Sequence, residues 1–176
     1  GKTFWWEMLD GSVQEMNLDD DSIFDLHKRL MVADIDERER ILSDLNPPTT
    51  TMPARLSTSD LKELFQDPLT EIAAHGWSHR ALSMLPKEEQ RMEVMESIQM
   101  IKNLTGKEAR SFAYPFGGYF TSETKNILRN TGIRLACTVG NEPITSESDL
   151  LALPRLEVGN WAIEEFKMKI RSFFDE

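Results

Sequence analysis

From residue 54 onward, apolar and polar positions alternate between two periods, one of strands and one of helices. Ser57 and Asp60 have capping-box spacing and open a short helix over Leu61 to Phe65. Leu69 to Ala74 reads as a buried strand that ends at His75. Pro86 starts a long helix to about Leu104, with Met92, Met95, Ile98, Ile101 and Leu104 recurring as one buried stripe before Gly106 stops it. Ser111 to Tyr114 is a short strand, followed by the turn-forming run Pro115-Phe116-Gly117-Gly118. Thr124 to Arg129 is helical up to Gly132, and Ile133 to Val139 is the next strand. Leu151 to Val158 is a strand interrupted by Pro154, and Asn160 caps a last helix, Trp161 to Phe174. Strands separated by helices predict an α/β fold with a parallel sheet or barrel.

The first 53 residues have a different character. They are polar and acidic, with apolar helical faces from Phe24, Leu26, Leu30, Ile41, Leu42 and Leu45. Asp20, Asp21, Asp34 and Asp36 sit where helix starts favour carboxylates. The stiff run Pro47-Pro48-Thr49-Thr50-Thr51-Met52-Pro53 ends this region. It divides the chain into a helical region, 1–53, and an α/β core, 54–176.

The 176 residues suffice for one domain with a substantial core. A net charge of −10 argues against nucleic-acid and anionic-membrane partners, which need clustered Lys and Arg. Cys137 alone excludes an internal disulfide and a cysteine zinc site. No basic-then-apolar leader and no transmembrane-length run is visible, and the cytoplasm and the cell envelope both stay open.

Two segments carry candidate chemistry. His75 and His79 are spaced i, i+4, which on a helical turn puts two imidazoles on one side, within reach of one late divalent metal. They follow a strand, at the carboxyl end where α/β folds place their sites. Two unrelated histidines, one packed and one exposed, are the alternative. His27, in the early helical region, reads as a solvated surface residue. In Arg110-Ser111-Phe112-Ala113-Tyr114-Pro115-Phe116-Gly117, the turn can present backbone N–H groups to an oxyanion, and an Arg can fork a carboxylate. The alternative is a surface Arg before an ordinary turn.

Together these segments resemble the polysaccharide deacetylase family, carbohydrate esterase family 4, or NodB homology domain. His75 to His79 is similar to its His-(Ser/Thr)-x-x-His motif, and Arg110, Pro115, Phe116 and Gly117 to its Arg-x-x-x-x-Pro-aromatic-Gly motif. Leu56 to Leu61, Leu82 to Leu85, Leu153-Pro154-Arg155 and Phe4-Trp5-Trp6 look like one branch of that family. The resemblance implies a distorted (β/α) barrel and removal of N-acetyl, or less often O-acetyl, groups from a sugar polymer or glycan. It implies a divalent metal, zinc above others, held by His75 and His79. It further implies that Arg110 orients a catalytic carboxylate, that N–H near Phe116 stabilises the oxyanion, and that Tyr114, Pro115, Phe116 and Gly117 line the acetyl and sugar pocket.

The family's first motif, Thr-Phe-Asp-Asp-Gly, which supplies the base and third ligand, has no counterpart, since Asp19-Asp20-Asp21 reads as a helix start. Nor is its late Leu-x-His motif recognisable, and Gly76 stands where Ser or Thr is usual. The abrupt start at Gly1 leads to the expectation of an incomplete barrel, with the first strands and third ligand upstream. Apolar surface around Trp5, Trp6 and the strand before His75 would then be uncovered and could drive self-association. A carbohydrate-binding module without chemistry, a structural interaction domain and a sugar deformylase remain as alternatives.

Overall fold

A computed structural model describes residues 4–16, 19–45 and 56–174. Three helices come first: α1 (Trp5–Met16), α2 (Asp20–Val32) and α3 (Ile35–Asp44). The Asp19 carboxylate accepts the Ser22 N–H at 2.8 Å and Asp34 accepts that of Glu37 at 2.8 Å, so the early acidic residues are caps and first-turn charges, as expected. Leu30, Met31, Ile41 and Leu42 close into a core with Trp5, Leu9 and Ala33. Trp5 is therefore buried, not uncovered. Phe24 departs from the expected apolar face; it is exposed beneath the Lys28 ammonium. The Pro/Thr stretch lies outside the described residues.

Helix α4 (Thr58–Gln66) has the reciprocal Ser57–Asp60 capping box that its spacing predicts. The strand expected over Leu69–Ala74 contracts to a single parallel bridge between Ala74 and Phe112. Asp67 holds the preceding backbone in a turn, accepting the Leu69 N–H on its side chain and the Thr70 N–H on its carbonyl, and Leu69 points into solvent. Strand β1 (Ser111–Ala113) pairs in parallel with β2 (Leu135–Cys137), and Cys137 bridges in parallel to Leu153. The expected strand over Leu151–Val158 is likewise only that bridge. Four chain segments thus run parallel, with helical crossovers between the first three, as an α/β fold requires.

The crossovers are α5 (Lys87–Thr105) and α6 (Ser122–Asn130). Val94 from α5, Ile127 and Leu128 from α6, Phe112 from β1 and Ala136 from β2 form the main core. Of the stripe that periodicity picks out on α5, Ile98 and Ile101 pack against this core, but the fully buried positions lie beside it. Gln90, Glu93, Val94 and Ser97 are buried, whereas Met92 and Met95 are exposed. Polar side chains occupy the inner face because each finds a partner there. Gln90, for one, donates to Leu85 O at 2.9 Å and accepts the Thr124 hydroxyl at 2.6 Å. The last helix, α7 (Ile163–Arg171), starts at Ala162 without a side-chain cap, so Asn160 does not cap it. No helix among the described residues is long and apolar enough to cross a membrane.

Candidate metal centre

His75 follows the Ala74 bridge, at the carboxyl end of the parallel array. Its Nδ1 lies 2.8 Å from Ala113 O. A carbonyl can only accept, so Nδ1 carries the proton and the Nε2 lone pair is left for a ligand. Ser97 Oγ accepts the His75 N–H at 3.2 Å. The helical turn expected between the histidines is absent; a loop with left-handed residues at Gly76 (φ 80°) and His79 (φ 57°) replaces it. That loop still brings the rings to 4.9 Å between centroids. His79 packs on Trp6 (4.8 Å) and Phe116 (4.6 Å), and its Nδ1 is buried without a hydrogen-bond partner. Burial, with His75 and Arg38 nearby, lowers its pKa to about 4. The ring is then neutral at pH 7, the form that ligates metals.

These features fit two ligands of one ion. A zinc about 2.1 Å from a ring nitrogen lies about 3.2 Å from the ring centre, so two tetrahedral ligands have centres about 5 Å apart. The observed separation of 4.9 Å agrees, and the buried Nδ1 of His79 lacks any partner that would compete. Among the described residues no group of three or more His, Cys, Asp or Glu is placed to hold a metal, so this surface supplies two ligands and no third.

The structure separates the other sequence-derived candidates. Tyr114 is a core residue, not a pocket wall. It is 1% exposed, stacks on Phe120 at 4.1 Å and donates its hydroxyl to Leu151 O at 2.7 Å. Burial holds its phenol above the usual range. Pro115 is fully buried beneath Gly76. Phe116 (φ 57°) does reach the pair. Gly117 shapes the turn: at φ 67° it donates to Tyr114 O, and a Cβ there would collide with Val139. Arg110 lies at the opposite, amino end of β1, exposed in a groove with Phe65, Asp67 and Glu71, and is not brought to the histidines. His27 is no solvated surface residue. It is half-buried between Trp5 (5.5 Å) and Phe116 (6.2 Å), because α2 packs on the turn.

The pair opens into a cleft of about 1040 Å³ walled by Phe4, Trp6, Trp77 and Arg38. Two charged residues behind it escaped the sequence reading. Arg38 of α3 is 6% exposed, lies over the Trp5 ring, and donates to Leu30 O (3.0 Å), Ala33 O (3.2 Å) and Ser78 O. Burial lowers its pKa to about 10, which leaves it charged. Glu93 of α5 is 5% exposed and accepts both the N–H (2.8 Å) and the hydroxyl of Ser78. The available signal was positional: Arg38 shares a helical stripe with Ile41, Leu42 and Leu45, where a charge requires a buried partner.

Known structures share this fold. A Streptococcus pyogenes deacetylase solved in complex with acetate is 17% identical, with a TM-score of 0.60 over 93% of this chain and 85% of that one. A Bacillus cereus polysaccharide deacetylase is 20% identical, with a TM-score of 0.57 over 77% of this chain; the match spans about half (47%) of that protein. A de-N-acetylase from Aggregatibacter actinomycetemcomitans is 14% identical, with a TM-score of 0.55 over 95% and 82% of the two chains. Comparison with curated protein sequences gave no match. The polysaccharide deacetylase family model matches residues 30–136, which include α5, β1, the start of β2 and the histidine loop. The chain therefore belongs to the polysaccharide deacetylase family, whose members are hydrolases acting on carbon–nitrogen bonds.

Proposed function

We propose that this chain contributes the metal-binding wall of a glycan deacetylase that hydrolyses N-acetyl groups on a sugar polymer. The observation that carries the reading is the convergence of His75 and His79 in an aromatic-walled cleft, each with a ring nitrogen free of protein partners. A divalent ion held by these nitrogens, zinc before other metals, would polarise the acetyl carbonyl and lower the pKa of a bound water. The Ala113 carbonyl keeps His75 in the ligating tautomer, and burial keeps His79 neutral. The Phe116 N–H, without a partner among the described residues, is the candidate oxyanion donor, whereas the Gly117 and Gly118 N–H groups are spent within the turn. Trp77, 44% exposed beside the pair, offers a ring face to a sugar. Tyr114 and Pro115 support Phe116 from the core, and Arg110 is given no step.

Acetate release from N-acetylglucosamine oligosaccharides, with and without added Zn²⁺, tests this. Zinc-dependent release that His79→Gln abolishes supports it, and release unaffected by chelator or by that variant refutes it. A second reading, a carbohydrate-binding domain without chemistry, is favoured by the lack of a third ligand among the described residues. It predicts oligosaccharide binding that survives His75→Ala with no acetate released. O-acetylated and N-formylated oligosaccharides in the same assay separate the remaining leaving groups.

A further inference from the structure

We propose that Glu93 and Arg38 are positioning residues for the histidine pair: between them they clamp Ser78 and so fix the left-handed turn that carries His79 back to His75. The inference rests on the metal-site assignment proposed above. Ser78 immediately precedes His79, and all of its polar groups are taken. Its N–H and hydroxyl both go to the Glu93 carboxylate, and its carbonyl goes to Arg38 Nη1. With both of its peptide groups held, Ser78 has little freedom to rotate, and the peptide leading into His79 inherits that orientation.

Three further observations support a positioning role. His79 has φ 57°, a left-handed backbone that residues bearing a Cβ adopt uncommonly and that persists where the surroundings hold it. Gly76 has no side chain to brace the loop, and a Cβ there would lie 3.3 Å from Pro115 Cγ and 3.5 Å from Glu93 Oε2. The space a bracing residue would need at position 76 is thus filled by the proline and by the clamp itself. Finally, both charges are buried, where a hydrophobic pair would stabilise the fold as well or better. A buried carboxylate and guanidinium bonded to one serine on opposite sides are better explained by geometry than by stability.

The clamp also links distant parts of the chain. Arg38 is tied to Leu30 O and Ala33 O at the end of α2, and Arg80, just after His79, donates to Val32 O at 2.7 Å. On the other side, α5 supplies Ser97 to the His75 N–H as well as Glu93 to Ser78. The metal-ligand loop is thus suspended between the amino-terminal helices and the crossover helix.

Two readouts test the clamp, one independent of metal. In metal-free protein, nuclear magnetic resonance of the His79 ring protons reports their ring-current shift from Phe116 and Trp6. Glu93→Gln and Arg38→Lys should each move these resonances toward random-coil positions, whereas Glu96→Gln, one turn along the exposed face, should not. Zn²⁺ affinity, measured by competition with a chromophoric chelator, should weaken about tenfold or more in both clamp variants. If either fails to fold, Ser78→Ala replaces it, with Ser78→Thr restoring the hydroxyl and the wild-type shifts. Folded clamp variants with wild-type His79 shifts would overturn the proposal. If wild-type protein binds no Zn²⁺ yet the shifts move as expected, the metal assignment fails and the clamp stands.

Discussion

Phe116 and His79 meet edge to face with ring centroids 4.6 Å apart, and both have φ 57°, the two non-glycine positive values among the described residues. Two loops, one after the Ala74 bridge and one after β1, each turn left-handed to make this contact. The left-handed region costs roughly 1–2 kcal/mol per residue, so packing between the rings has to offset it. Phe116→Ala should therefore destabilise the protein by about 2 kcal/mol, less than for a fully buried Phe because the ring is half-exposed. It should also weaken Zn²⁺ binding by freeing His79. Urea denaturation and zinc titration of one preparation check both; unchanged zinc affinity in a folded variant would show that His79 needs no such support.

Tyr114→Phe separates a core role from a pocket role. Removing the hydroxyl leaves Leu151 O buried without its donor, at a cost of roughly 1–3 kcal/mol. Zinc affinity and oligosaccharide binding should stay at wild-type values. A loss of glycan binding with stability intact would place this ring in the pocket instead.

Gly117→Ala combines a left-handed φ, costly once a Cβ is present, with a collision against Val139. A loss of about 2–4 kcal/mol is expected from strain and overpacking together. Thermal unfolding of Gly117→Ala alone and with Val139→Ala should show partial recovery in the double variant, since trimming Val139 relieves the collision but not the backbone.

Arg110→Ala should be silent at the site. Its side chain is exposed at the amino end of β1, away from the histidines. Stability within about 0.5 kcal/mol of wild type, typical of surface substitutions, and an unchanged zinc affinity are expected. A large fall in acetate release at constant zinc affinity would instead restore the orienting role its motif suggests.

Local signals survived the passage from sequence to structure, and long-range ones did not. The Ser57–Asp60 box, the Asp19 and Asp34 caps and the Gly106 stop each depend on a few neighbouring residues, and each is where its spacing puts it. The inner face of α5 was legible at Ile98 and Ile101 but not at its polar positions, because periodicity counts apolar side chains. Gln90, Glu93 and Ser97 are buried through partners far along the chain. Strand lengths failed for a related reason: pairing depends on neighbours, and Ala74 and Leu153 have ladder partners on one side only among the described residues. At the site, the histidine spacing was legible but its helical rationale was not, since Gly76 and His79 turn left-handed. His27 looked solvated because nothing local reveals that α2 lies against the Phe116 turn.

X-ray absorption at the zinc edge, on protein loaded with one equivalent of Zn²⁺, tests the central claim most directly. Two imidazole scatterers with nitrogens at about 2.0–2.1 Å are expected, with one lost in His75→Gln and one in His79→Gln. An unchanged spectrum in both variants, or no zinc retained by the wild-type protein, would contradict it.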